Sequence, residues 1–163
     1  MRRLSIPLVL VVVALAAFAW TRRASDEDQI RGQLTRLGAA LHVSEGSNPL
    51  FRAPRVRSEF EAIFDDPTHA SVPELPLALP GGRAALADKA TELTSYYQTL
   101  DVSFTDVEIK LDSVKLIAHV AATAKLSTSG ENATRDTRPV DFLFYKKDGT
   151  WRVTSVTVWE PRS

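Results

Sequence analysis

The sequence contains no cysteine, only three histidines and one methionine, and its formal net charge is zero. Without cysteine there is no disulfide framework, no cysteine-ligated zinc site, no thiol nucleophile and no lipid-modified N-terminal cysteine. Three histidines leave little material for a metal site, so we predict no metal and no cofactor. Hydrophobic residues at 44% and charged residues at 25% are typical of a folded globular chain rather than a disordered one.

One long apolar run lies near the N-terminus. The 17 residues 4–20, LSIPLVLVVVALAAFAW, are interrupted only by Ser5 and Pro7, and arginine pairs flank the run on both sides. A helix of this length spans about 25 Å, the lower end for crossing a bilayer. We therefore predict a signal anchor over 1–23 that contacts the membrane through 4–20.

Two alternatives to the anchor remain open. Ala17-Phe18-Ala19 matches the small-x-small pattern of a signal-peptidase site, so the segment could instead be cleaved. A buried helix of a soluble core fits poorly between two arginine pairs. With an anchor or a signal peptide, residues 24–163 form a domain outside the cytoplasm. The prediction is a single-pass protein of the cytoplasmic membrane, with its C-terminal domain periplasmic or extracellular.

The predicted exported domain is acidic. It contains 16 of the 20 Lys and Arg residues, because Arg2, Arg3, Arg22 and Arg23 precede it, and all 20 Asp and Glu residues. A nucleic-acid binder needs a basic surface to displace counterions from phosphates. The composition therefore argues against nucleic acid as a partner.

Three segments have the period of amphipathic helices, and we predict helices over 25–43, 57–65 and 83–99. Ser25 is a suitable N-cap for the first helix, while Asp66-Pro67 ends the second. Residues 44–54 are predicted to be a loop, and the three prolines within 68–80 allow only short or edge strands. The apolar stripes contain Ile30, Leu34, Leu37 and Leu41 in the first helix, and Leu86, Ala90, Leu93 and Tyr97 in the third.

From residue 102 onward the hydrophobic period changes to two, which predicts strands. The alternating residues change parity between Phe104 and Val107, so we predict a bulge or bend at Thr105-Asp106. Further strands are predicted over 114–126, 140–144 and 151–159, with a hairpin turn at Asp148-Gly149. Helices followed by a meander of strands indicate an α+β domain. The predicted core contains Leu34, Leu37, Leu93, Phe104, Ile109 and Phe142.

This order of elements resembles the nuclear transport factor 2-like superfamily, which includes SnoaL-like, ketosteroid isomerase-like and scytalone dehydratase-like proteins. The resemblance implies helices packed in a curved antiparallel sheet that forms a cone around a pocket. An anchor before such a domain also resembles Mce-associated membrane proteins and inner-membrane assembly factors of type IV secretion. The resemblance covers about 25–160 and rests on the helix Asp26–His42, Gly81-Gly82, the run Val102–Leu111 and the hairpin Lys147–Val153.

Ketosteroid isomerase-like members use an aspartate base and an acidic or phenolic donor to an oxyanion. The resemblance therefore implies His119 and Asp141 as a candidate acid–base pair, if their strand faces line the cone. Tyr96 and Tyr145 are candidate ligand-binding residues. The simpler interpretation puts His119 and Asp141 on a solvated outer face, because lysines share that face.

A second cluster combines two carboxylates and an imidazole within five residues, Asp65, Asp66 and His69. This composition could hold a metal or contribute acid–base chemistry, but a helix terminated by Asp-Asp-Pro explains the same residues without function. The sequence contains no Gly-rich phosphate loop, nucleophile elbow or zinc-protease motif.

The sequence therefore favours a membrane-anchored, non-catalytic interaction or assembly module of the cell envelope. We predict a protein partner or a homodimer through the sheet, with Trp159 as the candidate partner-binding residue. The alternative is a small-ligand-binding protein or an acid–base enzyme, of the isomerase or dehydratase kind, that uses the cone pocket.

Overall fold

The computed structural model describes residues 25–72, 82–129 and 133–161. The predicted anchor over 1–23 lies outside these ranges. Within them, no helix is both long and apolar enough to cross a membrane. The described residues form α1 (Asp26–Leu41), α2 (Pro49–Ile63), β1 (Phe64–Ser71), α3 (Gly82–Tyr96), β2 (Leu100–Leu111), β3 (Ile117–Thr128), β4 (Arg135–Lys147) and β5 (Thr150–Val158).

Helix α1 begins where the sequence predicts. Asp28 N donates to the Ser25 hydroxyl at 3.1 Å, and Ser25 N donates to the Asp28 carboxylate at 3.2 Å. This capping box satisfies backbone N–H groups that have no partner within the helix, and its bonds from Ser25 lower the pKa of Asp28. Ile30, Leu34 and Leu37 are buried along one side, which confirms the core of the predicted stripe.

Helix α2 begins earlier than predicted. Asn48 caps it by accepting a hydrogen bond from Leu50 N at 3.0 Å, and Pro49 occupies the first turn, where a proline is well tolerated. Pro54, which the sequence assigns to a loop, lies inside this helix. Pro49 therefore marks the start of the helix, and Pro54 does not end it.

Helix α3 presents a different side to the core than predicted. Its buried residues are Ala87, Ala90 and Thr94, whereas Leu86 and Leu93 are half-buried. The prediction that Leu93 is a core residue is therefore wrong. Small residues face inward because α3 packs closely against α2 and β1.

Strands β2 to β5 form the predicted antiparallel meander. The predicted bulge is confirmed, since the β2–β3 register slips between Thr105 and Glu108 and Asp106 has a φ of 53°. The hairpin turn is also confirmed. Asp148 and Gly149 have φ angles of 50° and 77°, positive at both positions as the tight turns that match strand twist require.

The complete sheet is mixed, which corrects the prediction of an antiparallel one. Its order is β1-β5-β4-β3-β2, and β1 pairs in parallel with β5, with Phe64 opposite Val153 and His69 opposite Ser155. The sequence predicts that the second helix ends at Asp66-Pro67, but these residues belong to β1, which is an edge strand. Pro67 is tolerated there because an edge strand has one side without a ladder partner, and the register is irregular around it.

The three helices cover one face of the sheet, here called the inner face, and no other element of the described ranges covers the opposite, outer face. Alternate residues of β3 show this, since Ala118, Val120 and Ala122 are buried while His119 and Ala121 are exposed. The inner face and the helices share a core that includes Ile30, Leu34, Leu37, Val56, Phe60, Ile63, Phe142, Phe144, Trp151 and Val153. Of the other predicted core residues, Phe104 and Ile109 are partly buried and pack against this cluster.

Candidate functional site

The space between the helices and the inner face is packed with apolar side chains. Among the described residues, the buried polar side chains are Thr68 and Thr94, and both are satisfied by backbone carbonyls. Thr68 Oγ1 donates to Val153 O at 3.3 Å, and Thr94 Oγ1 donates to Thr91 O at 3.0 Å. No titratable side chain of the described ranges is buried in this space. It therefore offers a packed core rather than converging acid–base groups.

A groove of about 1070 Å³ lies on the outer face, across β2, β3 and β4. Its charged and aromatic lining residues are Asp106, Glu108, Arg138, Asp141, Trp159 and Glu160. The bulge places Asp106 at the rim, because its positive φ turns the chain out of the regular strand. Arg138 donates to Asp136 at 2.7 Å, so its charge is shared with a carboxylate of the same strand. The groove is therefore acidic.

Trp159 is held firmly at one side of this groove. Its indole Nε1 donates to Asp141 Oδ2 at 2.7 Å, and its backbone N donates to Pro139 O at 2.9 Å. These two bonds continue the β4–β5 pairing past the end of β5. The side chain nevertheless remains 50% exposed. A large aromatic side chain that is ordered before binding loses little entropy when a partner covers it.

His119 and Asp141 lie on the outer face, on neighbouring strands. Asp141 is opposite Ala121 and His119 is opposite Leu143, so the two residues are diagonal neighbours. They share a smaller depression of about 270 Å³ with Glu108. Their strand faces do not line the space under the helices, which was the condition for the pocket hypothesis.

Asp65, Asp66 and His69 all lie on the edge strand β1. His69 is exposed opposite Ser155, and Asp66 is exposed beside Gly82, where an added Cβ would be 2.7 Å from the Asp66 carboxylate. In the described ranges no group of three or more His, Asp or Glu side chains is arranged to hold a metal ion. The strand spreads these residues along its length instead of gathering them.

The two candidate ligand-binding tyrosines are not brought together. Tyr96 is 83% exposed at the end of α3 and contacts the ring of Tyr97 at 5.4 Å. Tyr145 is 40% exposed on the outer face, opposite Ile117 of β3 and Arg152 of β5. They lie on different sides of the domain.

A second groove, which the sequence did not indicate, separates α1 from β2 and has a volume of about 430 Å³. His42 Nδ1 and Asp101 Oδ1 are 3.2 Å apart at its rim, and both side chains are at least half exposed. Arg31 and Val107 also line the groove, and the Arg31 guanidinium donates to Val107 O at 3.2 Å. Gly38 also lines this groove. It lets α1 approach β2 closely at that point, because a Cβ there would lie 2.6 Å from Val102 O.

Asp26 makes a polar contact between α1 and the sheet that sequence periodicity could not show. Its Oδ1 accepts from Lys146 Nζ at 2.5 Å and from Trp151 Nε1 at 3.0 Å. The hydrogen bond from Lys146, and then that from Trp151, lower the pKa of the Asp26 carboxyl. Lys146 also lies over the Trp151 ring, 5.6 Å from its centre. The acidic first turn therefore docks the helix as well as capping it.

Helices on one face of a mainly antiparallel sheet, with the edge strand β1 paired in parallel, form an α+β domain, and solved structures of NTF2-like proteins share this fold. A proposed dehydratase of the NTF2-like family from Streptomyces avermitilis has a TM-score of 0.64 and 14% identity, covering 85% of this chain and 98% of its own. An NTF2-like protein with a cystatin-like fold from Novosphingobium aromaticivorans has a TM-score of 0.63 and 13% identity, covering 87% of this chain and 86% of its own.

A protein of unknown function with a cystatin-like fold from Nostoc punctiforme is similar at a TM-score of 0.60 and 11% identity, over 80% of this chain and 86% of its own. No protein-family model matches the sequence, and no curated protein sequence matches it. At these identities the similarity establishes the fold, and the fold hosts many different functions.

Proposed function

We propose that this protein is a membrane-anchored, non-catalytic interaction module of the cell envelope, and that the outer face of its sheet binds a protein partner or a second copy of the chain. The observation that carries the proposal is the half-exposed indole of Trp159, held by Asp141 at the edge of an acidic groove. Ordered aromatic side chains contribute much of the binding energy in protein interfaces.

Two further observations support binding rather than catalysis. His119 and Asp141 lie exposed on the open outer face of the sheet rather than in an enclosed cavity. The interior between helices and sheet is packed with apolar side chains, which suits a stable scaffold. The scaffold then presents its outer face to a partner.

The anchor in the proposal rests on the sequence. Residues 4–20 are apolar enough for one span, and arginine pairs flank them on both sides. Carbonate extraction of membranes that contain the full chain tests this part. We expect the full-length mass to stay in the membrane fraction, whereas a soluble protein beginning at Trp20 would instead show a cleaved signal peptide.

The binding part is tested by recovering partners of the detergent-extracted full chain and its Trp159→Ala variant. We expect the variant to lose the partner, or its self-association, while it stays folded. His119→Ala is the matched control on the same face, and it should retain binding. If His119→Ala stays folded but abolishes cellular function and Trp159→Ala does not, the interaction proposal is wrong.

The alternative function is a small-ligand-binding protein or an acid–base enzyme. The groove between α1 and β2 favours it, because His42 and Asp101 form a close pair there at 3.2 Å. An Asp101→Asn variant that stays folded but loses cellular function, with Trp159→Ala unaffected, would support this alternative over the interaction module.

A further inference from the structure

One end of the domain exposes apolar side chains that the core does not use. Val114 and Leu116, in the turn between β2 and β3, are 67% and 43% exposed. Ile117 and Tyr145 continue the surface on the outer face, where they pair across β3 and β4 and are 38% and 40% exposed. We call these four residues the apolar tip. Exposed apolar patches mark contact surfaces, and these four residues are the candidate patch at this end of the domain.

The turn that carries the apolar tip is firmly built. The Asp112 carboxylate accepts from Leu116 N at 2.7 Å and from Ile117 N at 2.9 Å, and Lys115 N donates to Asp112 O at 3.1 Å. The bond from the Ile117 N–H leads the contacts that lower the pKa of Asp112. Lys115 has a φ of 54°, in the left-handed region. The exposed positions of Val114 and Leu116 are therefore set by the turn.

The apolar tip lies at the end of the domain where α1 begins. Lys146 links the two, since its backbone N donates to Leu116 O at 2.8 Å and its Nζ donates to Asp26 Oδ1 at 2.5 Å. The field of Lys115 in the turn also contributes to the lowered pKa of Asp26. The first residue of α1 and the β2–β3 turn are thus neighbours.

Chain length limits how far this end can be from the apolar run. Asp26 lies six positions after the last residue of the run 4–20, and a fully extended chain of that length spans at most about 22 Å. If residues 4–20 cross a bilayer, the start of α1 stays within that distance of the membrane boundary. The neighbouring apolar tip is therefore within reach of that boundary.

We propose that the apolar tip rests on the surface of the bilayer that holds the anchor, with Val114 and Leu116 in the headgroup region. This inference rests on the proposed anchor. Between the two apolar side chains Lys115 can extend its ammonium group to the polar layer, and Tyr145 suits an interface by its amphipathic ring.

The lipid contact is apolar rather than a basic patch. The Asp112 carboxylate is part of the same turn as Lys115. Asp148 follows Lys147 in the neighbouring hairpin, so opposite charges alternate at this end of the domain. Docking therefore does not need anionic lipid, and neutral phosphatidylcholine suffices.

This placement leaves the Trp159 groove free for a partner. Tyr145 lies six positions along β4 from Pro139, whose carbonyl accepts from Trp159 N, and this length of strand extends over about 20 Å. The acidic groove is then held above the bilayer rather than against it.

The absence of cysteine allows a direct test, since one introduced thiol is a unique labelling site. The full chain is labelled with an environment-sensitive fluorophore as Val114→Cys or, separately, Leu116→Cys, and inserted into phosphatidylcholine vesicles with a nitroxide at the headgroup. Lys125→Cys is the matched control, because it is exposed at the other end of β3. We expect blue-shifted, quenched emission from both tip labels and little change at the control.

The outcomes separate this inference from the proposed anchor. If the chain floats with the vesicles but the tip labels are no more quenched than the control, docking is wrong and the anchor stands. If the chain does not float with vesicles, the anchor and the docking both fail. If the tip labels are shielded without nitroxide quenching, and the same cysteine variants left unlabelled form a disulfide between two chains on oxidation, the apolar tip is a self-association surface instead.

Discussion

Trp159 and Asp141, which the sequence treats as members of different hypotheses, form one unit in the structure. The indole Nε1 donates to Asp141 Oδ2 at 2.7 Å, and this bond joins a residue just past β5 to the middle of β4. A hydrogen bond to a charged carboxylate is among the stronger kinds. Asp141 is therefore best understood as a positioning residue for Trp159.

The first prediction follows from this bond. Asp141→Ala removes the acceptor and frees the indole, so we expect weaker partner binding with an intact fold. Asp141→Asn keeps a carbonyl oxygen that can accept from Nε1 and should retain most binding. Binding curves for both variants, with tryptophan fluorescence anisotropy as a measure of indole mobility, check this. Equal losses in Asp141→Ala and Asp141→Asn would show that the charge matters rather than the position of Trp159.

The second prediction concerns acid stability. Hydrogen bonds from Lys146 and Trp151 hold the pKa of Asp26 below its ordinary 3.8. A carboxyl whose pKa is lower when folded adds stability that is fully present above the unfolded value and disappears as the pH falls through the folded one. Urea unfolding from neutral pH to below 3.8 should therefore show a loss of stability that Asp26→Asn reduces.

At neutral pH, Asp26→Asn should cost about 1–3 kcal/mol, because it weakens a charged hydrogen-bond pair at the joint between α1 and the sheet. Glu27→Gln, an exposed change in the same turn, controls for the loss of one negative charge at the helix start. If Glu27→Gln has the same effect as Asp26→Asn, the helix dipole rather than the Lys146 contact accounts for the stability.

The third prediction contrasts two leucines of the predicted stripes. Leu34 is 3% exposed within the core, so Leu34→Ala should lower the free energy of unfolding by about 2–5 kcal/mol. Leu93 is half-buried on α3 and should cost clearly less. Chemical denaturation of both variants measures the difference. A larger loss at Leu93 would contradict the orientation of α3.

The fourth prediction uses two glycines of α1. At Gly38 a Cβ would lie 2.6 Å from Val102 O, so Gly38→Ala should push the helix off β2 and destabilise the fold. At Gly32 nothing lies within 4 Å, and Gly32→Ala should stabilise the helix by about 0.5–1 kcal/mol. Thermal unfolding should shift in opposite directions. Stabilisation by both changes would mean that α1 and β2 are not in close contact.

Features that depend on residues adjacent in the sequence were predictable from the sequence alone. The Ser25 cap, the parity change at Thr105-Asp106 and the turn at Asp148-Gly149 each arise from local hydrogen bonding or backbone preference. Periodicity likewise assigned the meander and the burial of Leu34. The cap, the bulge and the turn were predictable because a few residues adjacent in the sequence supply the whole interaction.

Features that join distant segments required the folded chain. The strand that contains Pro67 pairs with β5, about ninety residues later, and this gain overrides the local preference for a helix end. The face that α3 buries depends on how closely α2 and β1 approach it, which excluded Leu93 from the core. Residues in contact across the sheet stabilise one another only after the topology has brought them together. The pairing of Asp141 with Trp159 is such a contact, which is why no local pattern could reveal it.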